Sequence, residues 1–200
     1  MKYPSFFNNI ESIVLKDDLA NFLGAVENGI IEFNYIDIVK SAGHSCATVA
    51  GAYLMCMEGL KALYKNETAK RGEIQVEFKE NSLDGVAGVI SNVITQITGA
   101  TETNGFKGIA GNFVRHGLIS FNADINSSIK LTRIDTEESV EIIYDPSGIQ
   151  PNPQMFEIFG KFKNGVELST EELKTFGILW QERVGNIFNN IDKVITVTIL

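Results

Sequence analysis

The chain has 200 residues, 44% hydrophobic and 21% charged, with a formal net charge of −8, two His and two Cys. This is the balance of a globular domain large enough to bury a core without disulfides or a structural metal. The acidic excess, with no Lys/Arg cluster, argues against nucleic acid, whose phosphates need a positive stripe; no apolar run approaches the about 20 residues of a membrane span.

The opening stretch MKYPSFFNNIESIV has a single Lys, and Pro4, Asn8, Asn9 and Glu11 interrupt its apolar residues. No secretory leader is expected from it, and two cysteines make no disulfide framework. The expected setting is a reducing cytoplasm with both thiols free. Residues 5–28 read as helical, from the spacing of Ile10, Ile13, Val14, Asp17, Ala20 and Phe22, with Asn28-Gly29 as the stop. A short helix is predicted over 34–42, broken by Gly43. A longer one follows from Ser45 to about Tyr64, apolar on nearly every side and therefore expected in the core.

Residues 72–79 alternate strictly, with Ile74, Val76 and Phe78 on one face, and predict a strand with one buried side. Residues 84–98 repeat Val86, Val89, Ile90, Val93, Ile94 and Ile97 at helical spacing and stop at Gly99. After the glycine-rich loop GATETNGFKGIAGN come three strand candidates, 114–122, 128–135 and 138–144, the last two joined at Asp135-Thr136-Glu137. Helices are predicted over 153–163 and 170–189, the second opened by a Ser169-x-x-Glu172 capping box, and a final strand over 194–200. Strands this consecutive do not suit a doubly wound fold. The fold class expected is α+β, helices packed on a mixed or antiparallel sheet with a helical C-terminal extension. The expected organisation is a core over 1–145 with an N-terminal helix. Residues 146–200 then form a helical extension and final strand, packed on the same domain.

The chemistry-bearing candidate is Gly43-His44-Ser45-Cys46, at the mouth of the predicted core helix. Imidazole and thiolate are suited to Zn²⁺ and similar ions, and a helix N-terminus favours the thiolate form. The alternative is that Cys46 is a small apolar residue and His44 a turn or cap residue. Cys56 lies ten residues further along the same helix, about 15 Å away along its axis, so one ion does not reach both thiols; it reads as core. His116, the other histidine, is a third candidate ligand that would converge from across the fold, or else an exposed strand-end residue. The glycine-rich loop has neither P-loop nor dinucleotide spacing, and no GxSxG elbow is present. Lys107 reads as a loop cation, and Trp180 with Phe176 and Val184 as a packed helix face.

GHSCATVAGAY resembles the Gly-His-x-Cys-Pro-Gly…Gly-Tyr segment of the formylmethanofuran dehydrogenase E-subunit family. GVISNVITQITGATETNGFKG is similar to that family's second stretch, and HGLISF to the strand after it. The resemblance covers roughly residues 30–122. It implies an α+β fold and a metal site, often zinc, that would include His44 and Cys46, with Tyr53 at the motif's Tyr. Ala47-Thr48 stand where the family has Pro-Gly, Ala100 stands at a family Cys, and Val89 falls at the place of an upstream one. The expected function is accordingly a zinc-binding protein of this type, with His44, Cys46 and His116 as metal ligands. The alternatives are an enzyme acting on a small-molecule ligand through a metal-bound water, or a metal-free accessory subunit. A homodimer is expected from the apolar helices and the apolar final strand, with no nucleic-acid or membrane partner.

Overall fold

A computed structural model describes residues 2–200. Its first thirty residues correct the expectation of a helix. A 3-10 turn at Ser5–Asn9 leads into strand β1, Ile13–Lys16, whose residues are alternately buried and exposed. The Asp17 carboxylate then accepts the Ala20 N–H at 3.0 Å and starts the short helix α1, Asp18–Phe22. Strand β2, Ile30–Phe33, returns antiparallel to β1, with Ile13 opposite Phe33. Strand β3, Ala69–Lys70, adds in parallel on the other side, completing a three-stranded sheet. The sequence spacing fits both periods here, because Ile13 and Leu15 also alternate; pairing with β2 and β3 selects the extended form.

Helix α2, Tyr35–Ala42, begins at a capping box between Asn34 and Asp37 and ends at Gly43, whose φ of +76° favours glycine. Helix α3, Ala47–Tyr64, follows after three further residues and forms the centre of the molecule. Of its 18 residues 13 are buried, which is why its sequence shows no polar face. It packs on the strands at 129–133, 139–144 and 195–199 on one side and on the helices at 87–98 and 170–188 on others. Strand β4 is Ile74–Phe78, helix α4 Ala87–Thr98, β5 Ile119–Ser120, β6 Ile129–Arg133 and β7 Ser139–Tyr144. Helices α5, Pro153–Lys163, and α6, Thr170–Phe188, form a hairpin, and a single turn, α7 at Ile191–Val194, leads into β8, Ile195–Ile199.

The larger sheet has the order β5-β4-β6-β7-β8, parallel only between β4 and β5. The architecture is therefore α+β, with helices on one face of a mixed sheet. The other face, including Gln75, Lys130, Thr132 and Thr196, meets solvent. The 146–200 segment contributes to the common core through Val184, Ile187, Val194 and Ile195. The strand expected over 114–122 shrinks to two residues, because Arg115 turns inward to a buried carboxylate and Gly117, at φ +73°, turns the chain. Among the described residues no helix is long and apolar enough to cross a membrane.

Close approach of α3 to the sheet needs a glycine. A Cβ at Gly51 would overlap the Tyr144 ring, which is held in place by a 2.6 Å hydrogen bond from its hydroxyl to the Ala47 carbonyl. Gly51→Ala is expected to destabilise the fold by about 1–3 kcal/mol through overpacking, despite alanine's better helix propensity. Urea denaturation that finds the variant as stable as the parent refutes this.

Candidate functional site

The Gly-His-Ser-Cys corner joins α2 to α3. Gly43 closes α2 through its N–H to the Val39 carbonyl. His44 is exposed, with Nδ1 3.0 Å from the Ala42 carbonyl oxygen. A carbonyl oxygen only accepts, so Nδ1 is the donor of that contact, and in a neutral ring Nε2 would be the nitrogen with the lone pair. Ser45 is buried, its Oγ 3.0 Å from the Tyr35 hydroxyl, and its carbonyl accepts two bonds from α6: Trp180 Nε1 at 3.0 Å and Gln181 Nε2 at 3.1 Å. Cys46 is half-buried at the N-cap of α3, and its Sγ accepts the Val49 N–H at 3.4 Å.

The corner is thus fastened on three sides, by α2 through Tyr35, by β7 through Tyr144, and by α6. Burial pushes the phenols of Tyr35 and Tyr144 above their ordinary range; Ser45 opposes this at Tyr35 and Arg183 at Tyr144. Both stay neutral at physiological pH and act as hydrogen-bonding struts rather than acids. Tyr53, at the motif's tyrosine, is fully buried and its hydroxyl donates to the Glu11 carbonyl at 2.7 Å, with the Phe33 carbonyl at 3.1 Å as a second acceptor. It ties α3 to the end of the β1–β2 ladder where Ile13 faces Phe33.

His116 is exposed in the turn between Arg115 and Gly117. His44, Cys46 and His116 are not gathered into a metal-holding group: among the described residues, no three His, Cys, Asp or Glu side chains converge where an ion could be held. Zinc sites supply three or four protein ligands. The corner's two donors, one already engaged by a backbone N–H, supply at most part of such a shell. Cys56 is 0% exposed, and burial drives its thiol far above the ordinary range, so it is core. Ala100 is likewise fully buried, while Val89 lies on α4 at the wall of a cleft of about 590 Å³. Five clefts of the surface are lined by other residues than His44, Cys46 and His116.

The arrangement that sequence reasoning missed is a buried charge cluster. Asp17, 2% exposed, accepts hydrogen bonds from Arg115 Nη2 at 2.7 Å and Arg71 Nη1 at 2.9 Å. Arg71 also donates to the Ile97 and Gln96 carbonyls, satisfying the end of α4, and lies over the Phe33 ring at 5.6 Å. Gly72 and Gly99 both press on the Arg115 guanidinium, where any Cβ would clash. The cluster joins residues 54 and 98 positions apart, so no local motif announces it. Its work is to pin α1, α4 and the glycine-rich loop together. No family model matches the chain, and no curated protein matches it in sequence.

Proposed function

We propose that this protein is a non-catalytic accessory protein that acts as a homodimer. In this reading the corner that resembles the metal motif of the formylmethanofuran dehydrogenase E-subunit family serves as a structural joint. The observation that carries it is the use already made of the corner's donor atoms: the Cys46 sulfur caps α3 and the Ser45 carbonyl anchors α6. A thiol acting as an N-cap acceptor is replaceable by a better one, the serine hydroxyl.

That gives a test. Cys46→Ala is expected to lose about 0.5–2 kcal/mol of stability, whereas Cys46→Ser keeps the cap and stays at or above the parent. Elemental analysis of the parent should find far less than one metal ion per chain. A stoichiometric metal, lost in both Cys46→Ser and His44→Ala, defeats the accessory reading.

One observation favours a second reading, a divalent ion, zinc by donor type, bound at the corner. His44 presents the free Nε2 that a ligating imidazole needs, with its Nδ1 proton held by a backbone carbonyl. His44 and Cys46 would be the ligands this chain supplies. The same elemental analysis decides between the two.

A further inference from the structure

The larger sheet ends at β8, and this edge is open. In an antiparallel ladder, hydrogen-bonded and non-hydrogen-bonded residue pairs alternate. Leu200 N–H donates to the Ser139 carbonyl and Asp145 N–H to that of Val194, so the even-numbered residues of β8 bond to β7. Ile195, Val197 and Ile199 therefore turn their backbone groups outward. The Ile195 N–H is taken by the Ile191 carbonyl; among the described residues nothing pairs with the outward N–H and C=O of Val197 and Ile199. Edge strands are ordinarily guarded by a charge, a proline, a bulge or brevity. The run Ile195-Thr-Val-Thr-Ile-Leu200 has no charge and no proline, and four of its residues belong to the β-branched types that favour extended pairing even without counting Ile195. At the opposite edge, β5 has only two residues.

We propose that β8 pairs with β8 of a second copy of this chain, antiparallel about a two-fold axis through Val197, making one ten-stranded sheet. The proposal rests on the homodimer reading above and names the surface. Three observations choose a second copy over any other strand. The first is the alternation, which is self-complementary: the axis sets Val197 against Val197 and Ile199 against Ile195 of the second copy. Second, an axis normal to the sheet keeps both helix-covered faces on one side. Ile199, 65% exposed and on the core face at the rim, is then covered by an apolar neighbour. Third, the solvent face of the edge carries Thr196 and Thr198, so the contact sets no like charges together although each chain carries −8.

The test is sedimentation velocity of the whole chain across a dilution series, with amide hydrogen exchange at each concentration. The expected result is a dimer in which the Val197 and Ile199 amides are protected, and lose protection on dilution. Ile199→Lys, at an exposed position that leaves the fold intact, is expected to sediment as a monomer where the parent is a dimer. A dimer whose Val197 and Ile199 amides exchange freely, or that Ile199→Lys leaves unchanged, overturns this edge and leaves the homodimer standing. A parent that is a monomer at every concentration overturns both.

Discussion

Replacing Asp17 by Asn is expected to remove about 3–5 kcal/mol of folding stability, the cost of stripping one partner from a buried ion pair. Asn keeps the side-chain oxygen that caps α1, so the loss reports charge rather than helix capping. Two guanidiniums depend on this one carboxylate, and Arg115 already carries a buried Nε with no hydrogen-bond partner. The pH dependence follows. Burial alone would raise the Asp17 carboxyl, but the Ala20 N–H and the two arginines outweigh it and hold it below its ordinary value. A depressed carboxylate contributes stability that is fully present above the unfolded-state pKa, about 3.9, and is lost as pH falls toward the folded-state value. Urea titrations from neutral pH downward should show the parent losing stability in that acid window and Asp17→Asn lacking that component. A variant within about 1 kcal/mol of the parent at neutral pH, with an unchanged acid limb, shows that the cluster is not the pin described.

The parts of this fold legible in the sequence are those specified by local chemistry. Helix α6 is announced by its capping box and begins where Ser169 places it, and α5 covers the 153–163 span expected of it. The core position of α3 follows from a run too apolar to face water anywhere. The N-terminal segment fails for a physical reason: Ile10, Ile13, Val14 and Asp17 satisfy a helical spacing, while the strands that claim Ile13–Lys16 lie at 30–33 and 69–70, beyond any local window. The arginines at 71 and 115 look like surface cations in sequence, because burial of a guanidinium is decided by a carboxylate far along the chain. At the corner, His44 and Cys46 are correctly placed at the mouth of α3, but a two-residue spacing says nothing about where a sulfur points. Cys46 directly precedes the first turn of a helix, and that N-cap position is the one local signal available.

Trp180→Ala is expected to cost about 3 kcal/mol, the low end for removing a large aromatic side chain, because the ring is only partly buried. The loss has two sources. The ring packs with Phe176 at 5.4 Å and lines a wholly apolar pocket between α5 and α6 with Phe159 and Leu173, and its Nε1 holds the Ser45 carbonyl. Gln181 retains the second bond to that carbonyl, so the corner should loosen rather than unfold. The chain contains its own control for this distinction. Cys46 lies at the corner and is half-buried, whereas Cys56 is sealed in α3 with its thiol pushed far from ionisation. In the folded variant an aromatic disulfide reagent should label Cys46 faster than in the parent and leave Cys56 untouched; equal labelling of both would mean global unfolding. Trp180→Phe, which keeps a ring and loses only the N–H, should fall between the two in stability. If Trp180→Ala leaves both stability and the Cys46 rate unchanged, α6 does not fasten the corner. The structural-joint role proposed for the motif would then lose its main mechanical support.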